Sequence, residues 1–432
     1  MINRYIISEI ENIWSEENKL QTWLNIEKLV CGGWNKIGII SDSDFQKIKN
    51  SKIDLNLKKF LEIEEETKHD VVAFVKLVSN QLGVERKWFH YGLTSSDIVD
   101  TAQNYLIKKS NDLVLQKIVE LQKILKVKAI ENKDTIIFGR THGIFGEPTS
   151  LGLKFLLWYQ EFDRHIERLK FAKKEIEIVN ISGSMGNFAH VDLEVENYVA
   201  NELNFSIDKI NTQVTQRDIH ANLLSCFANL GSTFLKISTE IRHFQRSEVR
   251  ELQEGFSKNQ KGSSSMPHKK NPISSENISG LSRLLISNAN IGYENNVLWH
   301  ERDISHSSNE RIIFPDSYHL LIHILNKMIN IFNNININYE NIEKNLISSK
   351  NIYYSQLIMN YILKNTRKSR DEVYDFIQKC TFESLRENKD FINVLIDNDI
   401  YNFISQQEFK KLINIKHFLK NVNKIFQRVL NE

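Results

Sequence analysis

One run of residues in the second half of the chain combines the side chains needed to bind and react with an anion. Residues 262–272 read GSSSMPHKKNP, with three hydroxyls and two lysines between a glycine and a proline. Asn271-Pro272 predicts a helix N-terminus, since Asn is a good N-cap and proline fits the first helical position. Such a terminus presents free N–H groups and a positive dipole to an anion. The composition also fits a solvated Gly/Ser loop with a basic flank.

A second candidate centre is a histidine in the middle of the chain. Arg140-Thr141-His142-Gly143 is followed by Glu147-Pro148-Thr149, just before a helical pattern begins near Phe155. We expect His142 in a short loop between long helices, where an imidazole can exchange a proton near neutral pH. A lone histidine is more often a packing or surface residue than a catalytic one.

Three polar segments lie in the first hundred residues. They are Arg4-Tyr5, KHDVVAF at 68–74 and HYGLTSSD at 90–97. Ser95 or Ser96 predicts the cap of a following helix, a position that can also bind a ligand. Without further context, Arg4-Tyr5 is typical of a frayed chain end.

The last polar segment is WHERDISHSSNER, residues 299–311. Ser307 with Glu310 predicts a capping box at the start of a helix. Arg302 and Arg311, on either side of that start, could hold a phosphate through paired hydrogen bonds. The alternative is a charged surface helix with internal ion pairs.

Long amphipathic helices must position these segments. The clearest apolar seam alternates steps of four and three along Leu223, Phe227, Leu230, Phe234, Ile237, Ile241 and Phe244. Similar stripes run through 155–169 and 114–125, so we predict an elongated bundle of long helices that associates into an oligomer.

We divide the chain into three helical domains. They are an N-terminal domain at 1–110, a central long-helix bundle at 111–363 and a small C-terminal domain at 364–432. The boundary near 364 follows from the polar run KNTRKSRDEV. The C-terminal part has neither Gly nor Pro, so its turns must use Asn, Asp and Ser.

Composition supports an all-α fold. The chain has 432 residues with only 4 Pro and 16 Gly, where average usage would give roughly 22 and 30. So few turn-forming residues cannot supply the tight turns of a sandwich, barrel or propeller. All four prolines lie in or just after the polar segments, and we expect a helix kink at Pro315.

The remaining composition excludes several function classes. A net charge of +2 implies no nucleic-acid partner. The chain has no run of 18 apolar residues, so we expect no membrane span. The first residues lack the apolar core of a signal peptide. Cys31, Cys226 and Cys380 have no metal-site spacing and favour buried free thiols in a reducing cytoplasm.

Seven segments of the chain, taken in order, resemble the motifs of the adenylosuccinate lyases, a family of the fumarase/aspartase superfamily. They are RY, KHDVVAF, HYGLTSSDIVDTA, RTHG, TQVTQRDIHA, GSSSMPHKKNP and WHERDISHSSNER. The resemblance spans essentially the whole chain. It implies a cytoplasmic, nearly all-helical homotetramer that needs neither metal nor other cofactor. It also implies active sites shared between three subunits and a nucleotide substrate.

The implied activity is elimination of fumarate in purine synthesis. One substrate is adenylosuccinate, which gives AMP. The other is the succinylated aminoimidazole carboxamide ribotide (SAICAR), which gives the carboxamide AICAR. Ser263 would be the general base and His142 the general acid, and a mobile loop at 258–265 would exclude water.

The resemblance also implies the substrate contacts. The succinyl carboxylates would be held by Lys269 and Asn271, with Ser264, Thr94, Ser95 and Gln213. The nucleotide, chiefly its phosphate, would be held by Arg4, Tyr5, Arg302, Ser307 and Arg311, with Lys68, His69 and Asp70 orienting the substrate.

Lys68 departs from the family pattern because many relatives have Arg there, which weakens bidentate contact, and Lys270 lies at a variable position. Two alternatives stay open. One is a 3-carboxy-cis,cis-muconate cycloisomerase, whose signature also contains MPHK but which needs neither His142 nor a phosphate clamp. The other is a non-catalytic bundle of the same superfamily.

Overall fold

A computed structural model describes residues 1–256 and 259–430, and in these residues helices dominate. The α-helices are α1 (Ser8–Trp14), α2 (Glu16–Lys36), α3 (Asp42–Asn50), α4 (Leu57–Thr67), α5 (Asp70–Ser79), α6 (Ser95–Glu131), α7 (Leu151–Ile176), α8 (Leu193–Leu203), α9 (Arg217–Gln245), α10 (Ile273–Glu294), α11 (Ser305–Asn334), α12 (Tyr339–Ser348), α13 (Ser355–Asn365), α14 (Arg370–Glu387), α15 (Phe391–Asp397), α16 (Gln406–Leu412) and α17 (Val422–Leu430). The strands are β1 (Ile136–Thr141), β2 (Ile144–Ser150), β3 (Ile178–Val179), β4 (Ser206–Ile207), β5 (Leu252–Gln253) and β6 (Asn336–Ile337). The all-α prediction is confirmed.

The chain forms two compact units. The first unit consists of residues 1–119, 164–236 and 278–327, and the second of 120–163, 237–277 and the chain from 328 onward. Five long helices, α6, α7, α9, α10 and α11, contribute residues to both units. The division into three domains at 110 and 363 stays a prediction.

The predicted seams are buried. All seven seam residues of α9 are at most 4% exposed, and the stripe of α6 from Val114 to Leu125 is fully buried. In the first unit, Phe227 of α9 packs on Tyr318 of α11 with ring centroids 5.2 Å apart. In the second, Trp158 of α7 packs on Phe332 of α11 at 5.7 Å. Long apolar stripes therefore form the bundle, as the periodicity predicts.

The C-terminal helices turn without Gly or Pro. Asn388 and Asp399 adopt left-handed φ values of 52° and 60° after their helices. Ser369 and Glu372 form a capping box at the start of α14. Short polar side chains thus replace the usual turn residues, as expected.

Three small strand pairs interrupt the helices in the described residues, and none of them is part of the sequence prediction. The longest pair is the antiparallel hairpin β1–β2, which includes a register shift between Phe138 and Arg140. β3 pairs in parallel with β4, and β5 pairs antiparallel with β6.

Pro315 lies inside α11 rather than at its end. Because proline has no N–H, the carbonyl of Arg311 lacks its donor four residues later. Among the described helices, none is both long and apolar enough to cross a membrane. All three cysteines are free thiols; Cys31 and Cys380 are buried, but Cys226 is only half-buried, so the prediction of burial is wrong for that residue.

Candidate functional site

In the second unit, His142 occupies the tip of the β1–β2 hairpin. His142 and Gly143 have φ values of 55° and 79° and lie between the paired residues Thr141 and Ile144. Two successive positive φ values at a two-residue connection define a type I′ turn. The expectation of a loop between long helices is therefore wrong, because strand pairing holds the histidine in an exposed position.

The 262–272 segment is closed on itself. Asn271 Nδ2 donates to the carbonyl of Gly262 at 2.9 Å. A Cβ atom on Gly262 would lie 2.0 Å from the carbonyl oxygen of Lys269, so only glycine fits this approach. The expected mobile loop 258–265 lies partly outside the described residues.

Ser263 Oγ accepts hydrogen bonds from two backbone N–H groups. The donors are Ser265 at 3.3 Å and Met266 at 3.1 Å. Hydrogen bonds to an oxygen stabilise its charged form. This geometry therefore favours an alkoxide at Ser263, whereas Ser264 is exposed on the same loop.

The start of α10 differs from the expectation of free N–H groups. The helix begins at Ile273, one residue later than predicted, and Asn271 bonds Gly262 instead of acting as the cap. The N–H groups of Ser274 and Ser275 donate to the Glu254 carboxylate at 3.1 and 2.6 Å. These two donors are occupied by the chain itself, and they are not offered to an anion.

We call residues 262–272 the signature loop. A basic cavity of about 1100 Å³ lies beside it. Its cationic and imidazole side chains belong to Arg242, His243, Arg246, Arg250, His268, Lys269 and Lys270. An adjoining cavity of about 400 Å³ is lined by Gly143 of the hairpin turn and shares His243, Arg246 and Glu248 with the first. Gly143 of the hairpin turn and Lys269 of the signature loop thus line two cavities that have these three residues in common. The sequence analysis did not single out the three residues, although the charge pattern HFQRSEVRELQE contains all of them.

In the first unit, Asp70 and Arg311 form an ion pair with Oδ2 and Nη2 2.7 Å apart. Burial alone would raise the pKa of Asp70, but the hydrogen bond and charge of Arg311 lower it overall. His69 caps α5 by accepting from the N–H of Val72. Lys68 has a left-handed φ of 54° and pairs with Glu65 at the surface. The structure therefore brings the KHD segment and Arg311 together.

Gln213 and Arg302 are also brought together. Arg302 Nη1 donates to Gln213 Oε1 at 2.8 Å, and Gln213 Nε2 donates to the carbonyl of Ser184 at 2.8 Å. These contacts fix the orientation of the Gln213 amide. The predicted residues of two motifs thus share one hydrogen-bonded group.

The segment with Thr94 and Ser95 is fixed by a buried carboxylate. Asp97 accepts from the N–H groups of Thr94, Ser182 and Gly183 at 2.7–3.1 Å. Burial raises the pKa of Asp97 to about 6 despite these bonds. The helix begins at Ser95, so Thr94 takes the N-cap position and the predicted cap at Ser95 or Ser96 is wrong.

The predicted capping box of Ser307 and Glu310 is also wrong. Helix α11 begins at Ser305, whose N–H donates to Asp303 at 2.8 Å, and Ser307 lies inside the helix. Glu310 is buried and accepts from Gln103.

Glu310 belongs to a buried charged network that sequence reasoning missed. Arg217 forms two 2.9 Å hydrogen bonds with Asp100, and its Nε lies 3.1 Å from Glu310. Burial, with the Arg217 charge, lowers the pKa of His220 to about 3 and of His306 to about 4. Both imidazoles are therefore neutral at pH 7.

Another missed pair joins His90 to Glu27. The fully buried Glu27 carboxylate contacts Nδ1 of His90 at 2.6 Å and accepts from its N–H at 3.0 Å. Burial alone would lower the pKa of His90, but the charge of Glu27 raises it overall. The left-handed φ of 64° at His90 is another sign of a specialised loop.

Arg4 and Tyr5 lie farther along α11. The Tyr5 ring packs edge-on against His323, with centroids 5.0 Å apart, and Arg4 is exposed. His323 follows Arg311 by twelve helical residues, a rise of about 18 Å. Tyr5 therefore does not share the Asp70–Arg311 contact.

Solved structures show the class of protein to which this fold belongs. A fumarate lyase from Mesorhizobium is similar with a TM-score of 0.89 and 20% identity, covering 100% of this chain and 99% of the other. A β-carboxy-cis,cis-muconate cycloisomerase from Acinetobacter calcoaceticus is similar with a TM-score of 0.87 and 17% identity, covering 98% of each chain. At these identities the likeness establishes the all-helical lyase fold alone.

Family models and curated relatives are more specific. The model described as Lyase matches residues 6–286, and that described as Adenylosuccinate lyase C-terminus matches 351–429. An adenylosuccinate lyase from Streptococcus mutans is 44% identical over 430 residues, and one from Bacillus subtilis is 43% identical over 431 residues. Both alignments cover 99% of this chain and 99% of the relative. The chain belongs to the adenylosuccinate lyase family.

Proposed function

We propose that this protein eliminates fumarate from adenylosuccinate, giving AMP, and from the succinylated aminoimidazole carboxamide ribotide, giving the carboxamide. The observation that best supports this activity is the 42–44% identity, over the full chain, to relatives named adenylosuccinate lyase. The residue roles are our proposal, and each is supported by the geometry of its own unit.

Ser263 is proposed as the general base. Removing a proton from the carbon next to a carboxylate requires a strong base, and a serine hydroxyl is a weak one. The N–H groups of Ser265 and Met266 would stabilise the Ser263 alkoxide. Lys269 on the same closed loop supplies a positive charge nearby.

His142 is proposed as the general acid. The bond to the purine nitrogen breaks more easily when that nitrogen receives a proton as it leaves. The type I′ turn presents the imidazole beyond the strand ends, where a ligand can reach it.

The basic cavity is proposed to hold the succinyl carboxylates. Proton removal creates a doubly charged intermediate at one carboxylate, which fixed cations stabilise without reorganisation. Lys269 and Asn271 line the cavity together with Arg242 and Arg246. Ser264, Thr94, Ser95 and Gln213 are proposed to assist.

The first unit is proposed to hold the nucleotide. Arg302 and Arg311 would bind its phosphate, with Ser307, Lys68, His69 and Asp70 orienting the substrate. Arg311 is already paired with Asp70, so phosphate binding would compete with that ion pair or extend it.

We propose a homotetramer with shared active sites. The roughly 18 Å along α11 between the Tyr5 contact and Arg311 favours Arg4 and Tyr5 serving a neighbouring subunit. Phe171, Leu284 and Ile312 are 61%, 50% and 62% exposed on long helices, and we propose that they lie in contacts between subunits.

The direct test is incubation of the purified protein with adenylosuccinate while AMP and fumarate are measured. Ser263→Ala and His142→Ala should fold normally and lose at least about 100-fold in kcat, whereas Ser348→Ala, a hydroxyl removed elsewhere in the second unit, should not. No turnover by the folded wild-type protein would overturn the proposed reaction. Near-wild-type turnover by either site variant would remove that residue's role.

The cycloisomerase alternative is supported by fold alone. We expect no conversion of 3-carboxy-cis,cis-muconate, because the histidine turn and the Arg302 and Arg311 segment fit a phosphorylated substrate. Conversion of that compound without fumarate release from adenylosuccinate would favour the alternative.

A further inference from the structure

One arginine of the hairpin that carries His142 forms a bidentate ion pair with another segment of the same unit. Arg140, two residues before His142, donates from Nη1 and Nη2 to Glu251 Oε2 and Oε1 at 2.9 and 2.5 Å. Glu251 has only 1% of its side chain exposed, and Arg140 has 20%. A bidentate pair of this kind fixes orientation as well as distance.

Glu251 is itself held from two further directions. Asn345 Nδ2 of α12 donates to Glu251 Oε1 at 2.7 Å. The Glu251 backbone donates to Phe244 at 3.1 Å and accepts from Asn338 at 2.9 Å. The carboxylate is therefore a fixed point, and Arg140 transmits its position to the hairpin.

Arg140 occupies the place in the hairpin where this anchor has most effect. It follows the register shift after Phe138 and pairs with Phe145, over whose ring its guanidinium lies at 5.0 Å. Residues 141–144, which lie between Arg140 and Phe145 and include the tip, are exposed. The position of the tip with His142 therefore depends on the position of Arg140.

The same short stretch also holds the signature loop. Glu254, three residues after Glu251, binds the N–H groups of Ser274 and Ser275 at the start of α10. Gln245 joins the two sides, since Oε1 accepts from the Glu254 N–H and Nε2 donates to the carbonyl of Lys270. Residues 251–254 therefore contact the hairpin of His142 and the helix start that follows the loop of the proposed base, and Gln245 links them to the loop itself.

We infer that Arg140, through its bidentate pair with Glu251, is a positioning residue that sets the place of His142 relative to the signature loop. The inference rests on the proposed function, in which His142 is the general acid. A misplacement of about 1 Å can cost about 100-fold in rate. Lysine at 140 keeps the charge but cannot form the paired hydrogen bonds.

The test compares kcat and KM for Arg140→Lys, Glu251→Gln and the matched control Glu340→Gln. Glu340 forms an exposed ion pair with Lys344 in the same unit. We expect kcat to fall about 10- to 100-fold in the first two variants, with KM within about threefold of wild type. The control should keep wild-type values, and far-UV circular dichroism should be unchanged in all three.

A double variant separates positioning from a general structural role. If Arg140 acts through His142, adding Arg140→Lys to His142→Ala should not lower the residual rate further. A further 10-fold fall in that background would overturn the inference, as would wild-type kcat in either Arg140→Lys or Glu251→Gln. Loss of fold in both would make the pair a stability element and overturn it as well.

The outcomes also separate this inference from the proposed function. Wild-type activity of His142→Ala would reject the acid role and leave the hairpin without a catalytic purpose. An inactive His142→Ala beside a fully active Arg140→Lys would reject only the positioning role.

Discussion

At the scale of single residues, His142 shows a conflict between conformation and chemistry. Its φ of 55° lies in the left-handed region, which costs a non-glycine residue about 1 kcal/mol. Asn-Gly is the preferred pair for a type I′ turn, and His-Gly occupies those positions here. The turn therefore gives up local stability for an exposed imidazole.

We expect His142→Asn to be more stable and nearly inactive. The free energy of unfolding should rise by about 0.5 kcal/mol, because Asn tolerates the left-handed region better. Activity should fall by about 100-fold or more as the proposed acid is lost. Urea unfolding and fumarate release measure the two effects, and Gly143→Ala, at φ 79°, should instead lower stability by about 1 kcal/mol. A less stable His142→Asn would contradict the argument.

A second residue, Glu196, sets a pH dependence of stability. Burial raises its pKa from 4.5 to about 7, and it is 3% exposed. The folded protein therefore holds this proton more tightly than the unfolded chain, so stability is lost as pH rises from about 4.5 to about 7. Glu196→Gln should remove that loss and add about 3 kcal/mol at pH 8.

Thermal unfolding of wild type and Glu196→Gln at pH 5 and pH 8 measures this effect. We expect the two proteins to differ little at pH 5 and the variant to unfold at higher temperature at pH 8. Equal unfolding temperatures at both pH values would show that Glu196 ionises without cost.

At the scale of elements, the signature loop depends on one close approach of backbone. A Cβ at Gly262 would lie 2.0 Å from the Lys269 oxygen, so the loop must open to accept it. Gly262→Ala should keep the helical fold and lose at least about 100-fold in kcat/KM.

The matched control for Gly262→Ala is Gly280→Ala, inside α10. A Cβ there meets nothing within 4 Å, so the variant should keep full activity and gain about 0.5–1 kcal/mol of helix stability. Wild-type activity in Gly262→Ala would show that the closed loop has no catalytic importance.

The long helices could be predicted because their information is local. Residues such as Leu223, Phe227 and Leu230 repeat at the helical period, and burial follows from that pattern. The hairpin was not predicted, since RTHG alone does not distinguish a strand-to-strand turn from a helix-to-helix loop. Helix starts were wrong by one to three residues. At α10 the reason is a carboxylate distant in sequence, Glu254, which accepts from the first N–H groups.

The residues of the candidate site could be predicted from their motifs, but the contacts between them could not. The sequence brought His142, Ser263 and Arg311 to attention through recognisable segments. It gave no indication of the Arg217 network, because Asp100 and Arg217 are separated by 117 residues and no local period links them.

At the scale of the whole molecule, the proposed homotetramer predicts that exposed apolar positions of the long helices are buried between subunits. Phe171→Glu should lower the molecular mass in light scattering to that of smaller species, with activity falling in parallel if sites are shared. Leu61→Glu on the short helix α4, also about half exposed, is the control and should leave the mass unchanged. A Phe171→Glu protein of wild-type mass would remove Phe171 from the interface.

We expect the proline inside α11 to divide that helix into two parts of different stability. With the carbonyl of Arg311 lacking its helical donor, the first turns can open without unwinding the rest. Native-state hydrogen exchange should therefore be faster for the amides of 309–314 than for those of 319–330. The turns that carry Ser307 and Arg311 would then behave as a separate cooperative segment, able to loosen for nucleotide release while the rest of α11 stays folded.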